Sequence, residues 1–435
     1  MKLKYILILS GILLTLSSCN KVKNSNYMDL VVKENGPSIF VATDLHYLSR
    51  ELTDNSAAFR EFIKGGDGKM VEYTPDITDA LIDEVIKAHP RALILSGDLT
   101  FNGEKKSHKE LSEKLKTVKK AGIHVLVIPG NHDILNPHSY QYKGNKVYTT
   151  TNITPEDFKS IYEDMGYKDA LDSDPDSLSY LYEIADDLWV IMLDANKDMG
   201  YAIDSGRISD TSFAWIRQCL EKAKKEGATV ISVTHQNLLS HNELFTSRYT
   251  ILNGIELTKL LEEYQVKLNL SGHMHIQDIQ KSENENGIYD IVTSSLAVYP
   301  NHYGIVHISP DRKITYQSQN VNVNEYARNN HSKDENLLNF DNYGRQFFFD
   351  SSYEKIYHSL EEADITEDKQ KAMAEYAADI NIKYFSGALK DTLKEDLGKV
   401  EYDYWMEEGK DTFFGTYLKS ILNQKSEDEN KVILK

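Results

Sequence analysis

The 435-residue chain is 27% charged and 40% hydrophobic, too long for one ordinary domain and rich enough in apolar residues to bury a large core. Its 67 acidic residues outnumber its 49 basic ones, so the net charge of −18 repels long polyanions and anionic membrane surfaces. Two cysteines, Cys19 and Cys219, exclude a disulfide scaffold.

At the start, two lysines precede an apolar run from Tyr5 to Leu16. A permanent membrane helix needs roughly 20 apolar residues, so residues 1–18 read as an export signal. The stretch Leu16-Ser17-Ser18-Cys19 is similar to a bacterial lipobox, which implies lipidation of Cys19 and an exported protein anchored to the cell envelope. Residues 19–36 are polar and are expected to be a tether.

From Pro37, strands and helices alternate. Ser38–Thr43 predicts a strand ending at Asp44, and Asp76–Ala88 an amphipathic helix. Ala92–Ser96 predicts a strand ending at Gly97-Asp98. Ser107–Ala121 predicts a helix opened by a capping box between Ser107 and Glu110 and stopped at Gly122. Strands follow at Ile123–Ile128, ending at Gly130-Asn131-His132-Asp133, and at Leu188–Leu193, ending at Asp194. The helix Thr211–Glu226 carries Cys219 on its apolar side, where a lone thiol is packing rather than chemistry. Thr229–Val233 leads to His235. Helix Ile255–Tyr264 and strand Lys267–Leu270 lead to Gly272-His273-Met274-His275, and three more extended stretches reach Gln317. This is an α/β pattern in which helices cross between buried strands.

Two stretches stand outside it. Tyr47–Pro75 and the tyrosine-rich Ile134–Asp187 are long excursions, of the length used for lids and binding loops. Beyond the α/β domain at 37–323, residues 324–435 lack proline and place apolar residues at helical spacing, as at Met373, Tyr376, Ala377, Ile380 and Tyr384. They predict a C-terminal helical extension whose aromatics pack on the α/β body. The charged end, Lys425–Lys435, is expected to fray.

The chemistry lies just past the strands. Ligands of open α/β sheets bind at the carboxyl ends of strands. There the chain offers Asp44-x-His46, Asp98, Asn131-His132-Asp133, His235 and His273-x-His275. Asp, Asn and His are ligands for Mn, Fe or Zn, and no cysteine is among them. The donors are too many for one ion with an open position. They suit two ions about 3.5–4 Å apart sharing a carboxylate and a water, which would lose a proton near neutral pH and become a hydroxide nucleophile. Gly97, Gly130 and Gly272 each precede a ligand-type residue, as sharp turns of unusual φ would require.

In order and spacing, the set D-x-H, G-D, G-N-H-D, H and G-H-x-H resembles the calcineurin-like metallophosphoesterases, over residues 38 to 318. The resemblance implies a two-sheet αββα sandwich. It implies that Asp44, His46 and His275 bind one metal and Asn131, His235 and His273 a second, with Asp98 bridging. It further implies that His132 assists the leaving oxygen and that Asp133 orients His132. Two departures stand out: no proline follows His235, and Leu99-Thr100-Phe101 supplies no tyrosine ligand of the purple acid phosphatase kind.

Asn102, Asp194, His241 and His302 are candidates for supporting the ligands or touching substrate. The other histidines are expected to be structural. The implied activity is metal-dependent hydrolysis of a phosphate ester, with a diester favoured over a monoester, and the substrate a small molecule or a lipid. A nuclease is disfavoured by the charge. A non-catalytic binding module is disfavoured because no motif residue is lost.

Overall fold

The computed structural model describes residues 36–197, 200–361, 363–423 and 428–434. The export signal, Cys19 and all of the tether but Gly36 lie outside them.

Among the described residues, fifteen strands form in chain order: β1 Ser38–Ala42, β2 Ala92–Ser96, β3 His124–Ile128, β4 Tyr140–Lys143, β5 Lys146–Thr149, β6 Asp172–Ser173, β7 Tyr180–Ala185, β8 Leu188–Leu193, β9 Thr229–Thr234, β10 Leu268–Ser271, β11 Asp278–Lys281, β12 Tyr289–Val292, β13 His302–Ile308, β14 Ile314–Asn320 and β15 Lys431–Leu434. One sheet has the order β15-β14-β13-β1-β2-β3, the other β11-β12-β10-β9-β8-β7-β6, and β4 and β5 make a separate hairpin. β1, β2 and β3 run parallel at the centre, as do β8, β9, β10 and β12 in the second sheet. These central strands are the apolar runs visible in the sequence, because burial on both faces leaves no polar alternation. The antiparallel edges are harder to see: β7 and β11 carry polar residues, and β6 is two residues long. Helices cover the second sheet through a core in which Trp215, Ile216 and Leu220 meet Trp189, Ile191 and Leu193. Cys219 lies in the same core, and burial pushes its thiol up to about 12.

Both excursions are ordered. The first holds the helix Ala57–Lys64, and Met70 N donates to Ala297 O at 2.8 Å. The second holds the β4–β5 hairpin, the capped helix Pro155–Ile161 and β7 itself. Tyr180 ties β7 to the other sheet, its hydroxyl 3.0 Å from both N and O of Val127.

Two local expectations fail. The helix predicted from Ser107 begins at Lys105, with Glu104 at its N-cap, and no capping box forms. Ser107 Oγ instead accepts from Ser49 N at 3.1 Å, and Glu110 accepts from the Tyr47 hydroxyl at 2.6 Å. The side chains that would have capped the helix pin the loop that follows His46. Nor does the described part of the charged end fray. β15 pairs antiparallel with β14 from Ile314↔Leu434 to Gln317↔Lys431. Leu434 is buried, and β14 would otherwise be an open edge.

Residues beyond β14 form helices at Val323–Asn329, Glu335–Leu338, Phe340–Leu360, Glu367–Phe385, Leu389–Asp396, Val400–Glu407 and Phe413–Leu422. Their core surrounds Trp405, whose indole donates to Met373 O at 2.9 Å. Met274, Ile276 and Val292 of the α/β region belong to that same core. Met274 stands between His273 and His275, so the packing of the helices reaches the ligand loop directly.

Candidate metal centre

Asp44, His46, Asp98, Asn131, His235, His273 and His275 converge at the carboxyl ends of β1, β2, β3, β9 and β10. The backbone is unusual where it aims them. Asp44, His46, Asp98, His273 and His275 all have positive φ, at 52°, 43°, 48°, 69° and 62°. Each such residue costs on the order of 1 kcal/mol, so the surrounding hydrogen bonds must impose the geometry. They do: Asp44 N donates to Gly97 O and His46 N to Asp98 O, both at 3.0 Å, and His273 N donates to Asp44 Oδ2 at 3.0 Å. Of the three glycines, only Gly97 has the unusual φ expected, at +100°. Gly130 and Gly272 are needed for space instead, since a Cβ on them would strike the carboxylates of Asp98 and Asp44.

Two groups of donors result, Asp44, His46, Asp98 and His275, and Asp98, His235 and His273, each with its ligand atoms within 4.8 Å of one another. Asp98 belongs to both. In the first group His46 Nε2 faces His275 Nε2 at 3.2 Å, and His275 Nε2 lies 3.2 Å from Asp44 Oδ1. Asp44 Oδ1 is buried and accepts no hydrogen bond. Two imidazole nitrogens this close, beside an unsatisfied carboxylate oxygen, are what a divalent cation would hold together. In the second group His235 Nδ1 donates to Ser96 O at 2.9 Å. That fixes the tautomer and leaves Nε2 3.4 Å from Asp98 Oδ1 and 3.1 Å from Asn131 Oδ1. His273 bonds Arg248 O through Nε2 at 3.0 Å, leaving Nδ1 as its ligand atom. The residues therefore fit metal ions.

The carboxylates make this a place for positive charge. Burial works to raise the Asp98 carboxyl, but His235, His132 and His46 outweigh it and hold it well below the usual carboxylate range. Burial also opposes charge on His235, yet Asp98 and Asp44 push it up to about 9. Burial and the nearby His235 bring His273 down to about 4, which suits a neutral ligand.

His132 Nδ1 is 2.9 Å from both Phe101 O and Asn102 Oδ1. Two acceptors place the proton on Nδ1 and turn Nε2 to the cleft, 4.0 Å from Asp98 Oδ2. The orienting group is thus Asn102, and the role expected of Asp133 is corrected. The Asp133 carboxylate takes the N–H groups of Leu99, Thr100 and Gly130 and the Thr100 hydroxyl, at 2.9–3.0 Å. It braces the second-motif loop against the third, because those donors surround it before the His132 ring can.

Three other candidates stand away from the ligands. His241 is buried between Asp278 at 2.6 Å and Asp290 at 3.2 Å and faces no crevice. His302 pairs with Asn320 across the β13–β14 ladder at 3.1 Å, because its strand is covered on both faces. Asp194 caps its own turn, accepting from Asn196 N at 2.9 Å and the Tyr201 hydroxyl at 3.0 Å. It acts on the site only through Asn196, whose amide holds Pro129 O at 3.0 Å. In place of a proline after His235, Asn237 donates to Gly272 O at 2.8 Å and Ser271 Oγ at 3.1 Å, tying the fourth motif to the fifth.

One group escaped sequence reasoning. Lys69, from the first excursion, is mostly buried and lines a small cavity with Phe101 and Asn102, beside His132. Its sequence surroundings give no signal. Only the contact of residues 69–70 with Ala297 and Val298 brings it there.

Residues 37–277 match the family described as calcineurin-like phosphoesterase, more than half of the chain. The chain belongs to the calcineurin-like phosphoesterases. As a member it is a phosphoester hydrolase that works with metal ions. Residues 322–428 match a second family, described as the C-terminal domain of cyclic nucleotide phosphodiesterase. Among solved structures, a dimetal phosphatase from Danio rerio is 13% identical, covering 65% of this phosphoesterase and 96% of its own chain, with a TM-score of 0.44. A second solved structure is 9% identical, covering 66% and 99%, with a TM-score of 0.37. Likeness that slight supports nothing about chemistry. No curated protein matches the chain.

Proposed function

We propose that this phosphoesterase is a phosphodiesterase with a dinuclear centre of Mn, Fe or Zn. The observation that carries the reading is that Asp98 is shared by two donor groups, the arrangement that lets one carboxylate bridge two cations. When bound, such a pair supplies Lewis-acid stabilisation of the phosphoryl oxygens and a nucleophile drawn from water at neutral pH. The chain's own residues do the rest. Asp44, His46 and His275 would hold one ion, and Asn131, His235 and His273 the other. His132, its Nδ1 proton anchored, would present Nε2 to the departing oxygen, and would pass it a proton only from the doubly protonated ring, a form that burial disfavours. The preference for a diester is supported by the match of residues 322–428 to a phosphodiesterase C-terminal domain.

Protein stripped with chelator and reloaded with Mn or Zn should hydrolyse bis-p-nitrophenyl phosphate faster than p-nitrophenyl phosphate. The reverse order would make it a phosphomonoesterase. No metal-dependent turnover of either would sink the catalytic reading. We also propose that Cys19 carries a lipid that anchors the enzyme in the cell envelope, near small-molecule or lipid phosphate esters. Cys19→Ser should then move the protein from the membrane to the soluble fraction, and unchanged membrane fractionation would refute the anchor.

A further inference from the structure

The first excursion brings a cation to the metal centre by backbone pairing. Lys69 pairs antiparallel with Val298, and Met70 N donates to Ala297 O at 2.8 Å. The segment they pair with is itself fastened to two ligand-type residues. Ser295 Oγ donates to Asp44 O at 2.8 Å, Ala297 N to Asp44 O at 3.3 Å, and Ser295 N to His275 O at 3.4 Å. On its other side Lys69 shares a cavity of about 170 Å³ with Phe101 and Asn102, whose oxygens hold His132 Nδ1. Lys69 is thus fixed between the segment tied to Asp44 and His275 and the loop that orients His132. Its charge is felt at both. Burial lowers the pKa of His46 and of His132, and the Lys69 ammonium lowers each further.

The helix Phe340–Leu360 holds the Lys69 loop in this place. Gly68 has φ +75°, and a Cβ on it would come within 2.5 Å of the Phe348 ring. Asp67 Oδ1 accepts from Lys355 at 2.5 Å, and Lys64 pairs with Glu354 at 3.4 Å. None of this satisfies Lys69 itself. Its side chain is only 12% exposed, yet its pair with Asp67 Oδ2 spans 3.8 Å, too far for a hydrogen bond. Asp67 is divided between Lys69 and Lys355, so one positive charge is left over at the edge of the cleft. A mostly buried ammonium with three donors is costly until an anion accepts from it.

We propose that Lys69 is a substrate-contacting residue whose ammonium takes an anionic oxygen of the phosphoryl group on the His132 side of the cleft. The proposal rests on the phosphoester hydrolase activity and not on the preference for a diester. A lysine suits this place. It brings a compact point charge, and a cation fixed in advance stabilises phosphoryl charge without reorganisation.

The test is binding of inorganic phosphate to the Mn-loaded full chain, measured by calorimetry. Lys69→Met keeps the stem and removes the charge. It should weaken phosphate about 10-fold or more, with metal content and circular dichroism unchanged. Lys69→Arg should recover most of that loss. For the faster p-nitrophenyl ester, kcat/KM should fall at least as far in Lys69→Met. Asp67→Asn separates a substrate contact from a structural tie. It breaks the ion pairs of the loop but leaves the ammonium, so phosphate should bind as tightly as to the wild type, or more tightly. Where Lys69→Met does not fold, Lys69→Gln takes its place. Unchanged phosphate affinity in the charge-free variant, loss of its Mn, or an equal weakening in Asp67→Asn would each overturn the proposal. An enzyme that prefers monoesters and still loses phosphate affinity in Lys69→Met would refute the diester reading and support this one.

Discussion

The metal-ligand loops and the C-terminal helices are built on opposite terms. In the loops, five ligand-type residues sit in left-handed backbone, and backbone hydrogen bonds such as Asp44 N to Gly97 O and His46 N to Asp98 O hold them there. In the helices the core is apolar and aromatic, closed around Trp405. The loops require particular atoms at particular points, so few residue types serve. The helices require volume and shape, which many aromatic combinations could supply. Yet the two regions meet at Met274, a core residue of the second flanked by two ligands of the first. The contrast teaches that positioning at this centre depends on packing as well as on the motifs.

The sharpest break on the loop side is Asp98→Asn. If two ions bind as proposed, it should remove one of them from metal analysis and cost about 10³-fold or more in turnover, while leaving the melting transition cooperative. Full activity would refute the bridging assignment. On the helical side, Trp405→Ala should cost about 3–5 kcal/mol in denaturant unfolding. If the regions are coupled through Met274, metal affinity should fall with it. Unchanged affinity would mean the helices support only themselves.

The third prediction probes the second sheet, where His241 lies between Asp278 and Asp290. Burial opposes charge on His241, but Asp278 and Asp290 outweigh it and raise its pKa from 6.5 to about 9. The charged ring then stabilises the fold fully below pH 6.5, and that contribution fades as pH rises through about 9. It amounts to about 3 kcal/mol, so wild-type stability should decline over this interval. His241→Gln should flatten the decline, and an unaltered pH profile would sink the assignment. The smallest effect belongs to Asn102→Ala. Losing one of two acceptors at His132 Nδ1 should lower kcat about 10-fold with metal content intact. A loss of metal instead would place Asn102 in the ligand scaffold.

What could be read in advance follows the same division. Asp44, His46, Asp98, Asn131, His235, His273 and His275 each stand just past a short apolar run, so their convergence follows from strand order. The partner of His132 could not be read that way. Asp133 is its neighbour in sequence and Asn102 stands 30 residues away, yet the path of the loop from Leu99 to Glu104 brings Asn102 to the ring. His241 and His302 looked suitable because they are histidines near motifs, but burial among Asp278, Asp290 and Asn320 is a three-dimensional fact.

The pairing of β15 with β14 has a consequence for biosynthesis. Asn320 is made well before Lys431, and the whole helical region lies between them. While the intervening helices are being synthesised, β14 is the exposed margin of an unfinished sheet, able to pair with another nascent chain. Closure by Lys431–Leu434 therefore links completion of the first sheet to completion of the helices. A ribosome that stalls before Lys431 should release a product that aggregates, although every metal-ligand residue has already been translated.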